Sequence, residues 1–287
     1  MSGAFDLALR LTLLAAALDP PLLWFERMPI LILAGLGLVV PGALRSRALW
    51  VGLLGLAGWP LFFNWPFSDN HDYLSALWIL AIACALWSAD PPGALAHQAR
   101  RLLGLTFLFA TLWKLALSPD FRDGRFFRVT LLTDARFENL AVLAGGMSWE
   151  EWARNDVATD ELLVAEPDEL PAPGRGESGL VEPPALRRLA WALTLFTGAL
   201  EAALAAAFLW RPGSRLARVR DALLLAFAAT TFSFATVRGF GWLLMCLGIA
   251  QCEPERRRTR AAYLGVFALI ALYRATPWSR FLIERLE

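Results

Sequence analysis

Lys114 stands in the apolar run LFATLWKLALS (108–118) and is the only lysine of a 287-residue chain that uses arginine 26 times. The choice bears on chemistry. A desolvated ammonium can give up its proton and serve as a base, whereas a guanidinium stays charged and can only bind or anchor. Four other ionisable side chains fall within apolar runs or at their mouths: Arg10, His71, Glu201 and Arg238. Such groups are functional candidates by default, because a charge in hydrocarbon is costly. Each also has a structural use. Lys114 can snorkel to headgroups, His71 can cap a helix after Asp69-Asn70, and Arg10 and Arg238 can anchor helices at an interface. Glu201, in TGALEAALAAAF, requires a buried partner such as Arg10 or a proton of its own, and a structural pair is the simpler solution.

The elements that position these groups follow from composition. The chain is 57% hydrophobic, with 13 Trp, 19 Phe and a mean hydropathy of +0.48, which predicts an all-α, polytopic integral membrane protein. A net charge of +1 gives no electrostatic basis for nucleic acid as a partner. No zinc-ligand spacing or phosphate-cradling glycine loop occurs, so no metal is expected. Cys84, Cys246 and Cys252 lie in or beside apolar segments and read as small buried hydrophobes. Asp6 and Arg10 interrupt the first apolar segment, which reads as a span rather than a cleaved leader.

A span of about 20 apolar residues crosses the hydrocarbon core. That length gives nine candidates, near 4–20, 28–44, 48–65, 73–90, 101–118, 186–210, 219–236, 239–252 and 261–275. Arginines crowd the connections at Arg45 and Arg47, Arg100 and Arg101, Arg211 to Arg220, and Arg256 to Arg260. The positive-inside rule puts all four in the cytoplasm, which requires the 217–252 run to cross twice, with a pivot at Val237-Arg238-Gly239. The N-terminus is then cytoplasmic and the C-terminus extracytoplasmic. Three parts follow: a five-span half over 1–118, an extracytoplasmic segment over 119–185 with an ordered start and a Pro/Gly-rich tether, and a four-span half over 186–287. On this topology Lys114 lies about 20 Å along its helix from Arg101 and about 6 Å from Ser118. His71 and Arg238 also fall near the outer face.

The motifs DNHDYL (Asp69–Leu74) and HQARRLLGLTFLFATLWKL (His97–Leu115) resemble those of the vitamin K-dependent gamma-glutamyl carboxylase family and its bacterial relatives, the horizontally transferred transmembrane domain proteins. Asn70, His71, Tyr73 and Leu74 match the family's Asn-His-x-Tyr-Leu motif. Gln98, Ala110, Lys114 and Leu115 match its later helix, and Gly124 matches a trailing glycine. The sequence departs from the pattern at Phe107, Thr111 and Trp113, where the family has Tyr, Gly and, in vertebrates, Lys; a later family histidine has no counterpart after His97.

The resemblance implies a membrane-embedded carboxylase-like protein of a bacterial inner membrane. Lys114 would be the base in oxygenation of a reduced vitamin K-type quinone, His71 would assist, and the two would face one cavity. Asn70, Tyr73, Phe107, Trp113 and Arg238 would contact cofactor or substrate, leaving Arg10 and Glu201 as structural charges. Partners would be lipid, quinone and a secreted peptide or small protein. Two rivals stay open: a non-catalytic membrane maturation or immunity factor, and a quinone- or lipid-binding redox partner. The topology is checked by placing a single cysteine at Leu170 and labelling from each side. Labelling is expected from outside, and labelling only from the cytoplasm would reverse the orientation.

Overall fold

The computed structural model describes residues 3–18, 23–164, 180–211, 213–233, 237–253 and 255–273, and all regular structure among them is helical. In chain order the helices are α1 (Gly3–Leu18), α2 (Trp24–Val39), α3 (Arg47–Phe63), α4 (Asn70–Leu86) and α5 (Pro91–Leu112). Three short helices follow, α6 (Pro119–Arg122), α7 (Arg125–Thr133) and α8 (Glu138–Leu143), and then the 16-residue α9 (Trp149–Val164). The chain then forms α10 (Pro184–Leu209), α11 (Arg215–Phe232), α12 (Arg238–Gln251) and α13 (Arg257–Tyr273).

Each of the nine apolar stretches gives one helix, and the 217–252 run divides into α11 and α12. Nine full-length spans are not what these helices provide. Among the described residues only α10 is long and apolar enough to cross a membrane, while α3 and α4 are apolar but shorter. The physical reason is length and charge. The 14 to 17 residues of α1, α2, α3, α4, α12 and α13 extend roughly 21–26 Å, against a hydrocarbon core of about 30 Å. The longer α5 and α11 carry Arg100 and Arg101, and Arg215, Arg218, Arg220 and Asp221.

The described residues form two compact units, one drawn from 3–108, 203–232 and 237–273, the other from 109–202 with 233. In the first unit α12 packs against α1 and α13, and α3 against α4. Residues 241–251 of α12 are buried without a break, as expected of a helix apolar on every side. Three indoles, of Trp50, Trp78 and Trp242, are fully buried. Each satisfies its N–H, to the Leu44 carbonyl (2.8 Å), the Thr12 hydroxyl (2.9 Å) and the Phe267 carbonyl (3.2 Å) respectively. Gly248 brings α12 against the Tyr263 ring so closely that an added Cβ would lie 2.7 Å from a ring carbon.

That approach lets Tyr263 reach a buried carboxylate. Asp221 accepts the Tyr263 hydroxyl at 3.0 Å and the Gln251 amide on Oδ1, and Arg256 on Oδ2 at 3.2 Å, which ties α11, α12 and α13 to one acceptor. Sequence reasoning did not single out Asp221, because it sits in the Arg-rich start of its helix and reads as part of a solvated connection.

The second unit contains the ordered start expected for the 119–185 segment. Helices α6 to α9 close a small core of Phe121, Phe127, Leu131, Met147 and Trp152, onto which Leu186 and Ala190 of α10 also pack. Asn155 fixes the returning chain by exchanging two hydrogen bonds with the Val181 backbone, at 3.0 and 2.8 Å. Arg128 grips Glu182 with both nitrogens, at 2.8 and 2.6 Å, and this hydrogen bonding holds the carboxyl below its usual range. The expected tether, at 165–179, lies outside the described residues.

The Asp221 junction gives an ordered pair of stabilities. Tyr263→Phe removes one bond to a carboxylate that keeps two others and is expected to cost about 1–2 kcal/mol. Asp221→Ala strands buried donors and a cation, at about 3 kcal/mol or more. Thermal unfolding in detergent measures both, and equal losses would show that Asp221 is not the junction.

Candidate functional site

Lys114 owes its placement to the way α5 ends. Pro119 has no N–H and disfavours a helical conformation at Ser118, so the helix must stop there. It does so through a five-residue π turn, Trp113–Leu117, closed by the Ser118 N–H on the Trp113 carbonyl at 3.0 Å. Ser118 then caps α6, its hydroxyl accepting from the Phe121 N–H at 3.3 Å. A π turn fits one more residue into a helical turn, which re-aims the side chains it carries.

In this setting the Lys114 Nζ lies 2.5 Å from Oε1 of Glu201 on α10 and 5.1 Å from the centre of the Phe121 ring. The Glu201 side chain is 7% exposed and that of Lys114 20%. Glu201 is therefore paired, as a mid-helix carboxylate requires, but its partner is Lys114 and not Arg10, which is exposed on α1. Nor does the ammonium simply run out to solvent; it turns to a carboxylate of its own unit. The second carboxylate oxygen, Oε2, has no hydrogen-bond partner among the described residues. An amine and a carboxylate in contact, largely shielded from water and set against an aromatic face, can pass a proton between them and hand it to or take it from a third group.

His71 belongs to the first unit. Asp69 is the N-cap of α4 and forms a reciprocal capping box with Asp72, whose carboxylate accepts the Asp69 N–H at 3.3 Å. His71 sits in that first turn, its ring nitrogens 3.9 Å from Asp69 and 3.6 Å from Asp72, beyond hydrogen-bond range. One ligand atom from each of Asp69, His71 and Asp72 falls within 4.8 Å of the others, a grouping that could hold a cation although the sequence analysis expected no metal. The imidazole also lines a cavity of about 720 Å³ within this unit, but Lys114, which was expected to share a cavity with it, is not among the lining residues. Exposed Asn64 and Asp69 mark its polar side, and buried Thr12, Trp78 and Cys246 its interior.

The other sequence candidates scatter. Tyr73 stacks edge-on to Trp65 with centroids 5.6 Å apart, and its buried hydroxyl has no hydrogen-bond partner among the described residues. Asn70 is exposed, and Arg238 opens α12 beside Gly239, which lines the cavity. Trp113 is exposed on the π turn. Phe107 is instead a core residue of the first unit, 1% exposed and edge-on to Phe227 at 5.0 Å. Sequence reasoning missed Phe121, Thr12 and Cys246 as neighbours of these groups. It also missed the Lys114–Glu201 pairing, although an acid and a base inside apolar runs were a signal for it.

Comparison of the chain with protein-family models, with curated proteins and with solved structures finds no match.

A double-mutant cycle measures the pair. Glu201→Leu or Lys114→Met alone leaves one largely buried charge and is expected to destabilise by about 3 kcal/mol, whereas the double variant should recover much of that loss. Additive losses in detergent unfolding would mean that the two groups are not coupled.

Proposed function

We propose that this chain is a polytopic membrane protein that binds a quinone-type amphiphile and uses Lys114, backed by Glu201, as the base of a vitamin K-dependent carboxylase-like reaction. The observation that carries the reading is the contact itself: the chain's only lysine is held against a buried carboxylate on a π turn. Lysine, unlike arginine, can alternate between proton donor and acceptor there, and the neighbouring carboxylate gives the proton a second resting place.

The membrane assignment draws on α10 and on large apolar side chains left facing outward elsewhere, among them Trp59, Phe62, Leu117, Leu195 and Leu272. Soluble proteins seldom expose so many. The nine helices would then cross a bilayer locally thinned around the shorter ones, with the N-terminus cytoplasmic and the C-terminus outside a bacterial inner membrane.

The cavity beside His71 suits the cofactor. Its volume is in the range of small-molecule sites, and buried apolar walls leading to a polar rim match a ring with oxygen substituents. Trp78 and Ile79 would flank such a ring, and His71 and Ser75 would reach its oxygens. When bound, a reduced vitamin K-type quinone supplies the oxygen-derived strong base that takes an unactivated C–H proton before CO2 adds. The protein's part is to exclude water, to orient, and to hold a proton at Lys114 Nζ or Glu201 Oε1. The substrate would be a secreted peptide or small protein.

The same ion pair equally serves a non-catalytic reading, a membrane maturation or immunity factor or a quinone- or lipid-binding redox partner, in which Lys114 and Glu201 only tie helices together. Lys114→Arg separates them. Arginine can keep the ion pair with Glu201 but cannot act as a base. As a catalytic base, its loss should lower quinol epoxidation or CO2 incorporation by about 100-fold or more, with folding retained. Activity equal to wild type in the Arg variant would remove Lys114 from the chemistry.

A further inference from the structure

The arginines of the first unit gather at one place. Arg220, on α11, is 6% exposed, and its Nε finds no hydrogen-bond partner among the described residues; the same holds for the Nε of half-buried Arg100 on α5. Burying an Arg without a partner is among the costliest arrangements a fold can adopt. Arg220 acts electrostatically on Arg100, so the two like charges lie within range of each other. Arg220, Arg256 and Arg260 together act on Cys252, at the end of α12. Arg256 reaches Asp221, the chain neighbour of Arg220, at 3.2 Å, which gathers these guanidiniums about the end of α12.

The acids nearby are too few. Asp221 and Glu253 are the carboxylates that act on Arg100, and Asp221 already accepts Arg256, Gln251 and Tyr263. Arg256 is also bonded to Glu253 at 3.3 Å. That uses the carboxylates on Arg256 and leaves Arg220 buried without one. The structural explanation, that these arginines neutralise the C-terminal carbonyls of α12, would have guanidinium hydrogen bonds on the Gly248–Gln251 carbonyls. None from Arg100, Arg220 or Arg256 is formed among the described residues.

We propose that Arg100, Arg220 and Arg256 form a binding site for an anionic phosphate group, with Arg220 as its buried anchor. Phosphate presents several acceptor oxygens to the planar fork of each guanidinium and supplies the negative charge that buried Arg220 is without among the described residues. Such a group can be the headgroup of an anionic phospholipid or a free phosphate. The site goes beyond the proton-transfer reading and does not depend on it.

The test uses the full chain in nanodiscs of phosphatidylcholine alone or with phosphatidylglycerol, and in detergent with or without inorganic phosphate. The readouts are lipid retention by native mass spectrometry and melting temperature. Wild type is expected to retain phosphatidylglycerol over phosphatidylcholine, which shares the phosphodiester but carries a compensating cation. Arg220→Met should weaken that preference by about tenfold or more, the loss of a charge-assisted contact. Because a buried substitution can disturb folding, half-buried Arg100→Gln is tested beside it and should weaken the preference in the same direction. Stabilisation by inorganic phosphate, lost in both variants, with no preference between lipids, would support the site and name free phosphate as its source. No stabilisation by either anion, or a preference unchanged in both folded variants, would overturn it.

Discussion

An ammonium and a carboxylate inside apolar helices are each untenable alone, and the contact between Lys114 and Glu201 is the constraint around which the second unit is arranged. For the two to meet, α5 must end where it does and α10 must start well before Glu201. Pro119 and the π turn secure the first condition. The second is met because the opening turns of α10 have a core to join: Leu186 and Ala190 complete the one made by α6 to α9. At 26 residues, α10 extends about 39 Å, enough to contribute to that core and still carry Glu201 to the lysine.

This length explains what the sequence made legible and what it hid. Nine helices could be read from hydropathy, and the division of 217–252 from charge, because both are local properties of the chain. Helix lengths were overestimated where an apolar run continued through a turn, as after Phe63 and Leu86. The Lys114–Glu201 contact was hidden by assuming that every apolar run starts at the membrane surface. On that assumption Glu201 lies about 22 Å from the start of its span and Lys114 about 6 Å from the end of its own, so depth appeared to separate them. The start of α10 lies instead in a small globular core, and nothing in an apolar run marks which of its turns pack there.

A similar limit applies to the polar groups. His71 could be picked out by type and position, and its setting in a capping box follows from Asp69 and Asp72 at the spacing such boxes require. Asp221 could not, since its role depends on Gln251 and Tyr263 arriving from two other helices. Phe107 shows the reverse error. An aromatic residue about two helix turns from Lys114 looked like a wall for the lysine, yet it packs on Phe227 in the other unit. Residues that act through their own helix are readable; those that act through a tertiary neighbour are not.

Because Lys114 is the only lysine, selective 15Nζ labelling of lysine gives one side-chain resonance that needs no assignment, and it tests the central contact directly. The resonance is expected to be displaced from that of a free lysine side chain, slow to exchange its protons with solvent, and moved toward the free position in Glu201→Gln. A wild-type resonance at the free position, unchanged by Glu201→Gln, would contradict the contact.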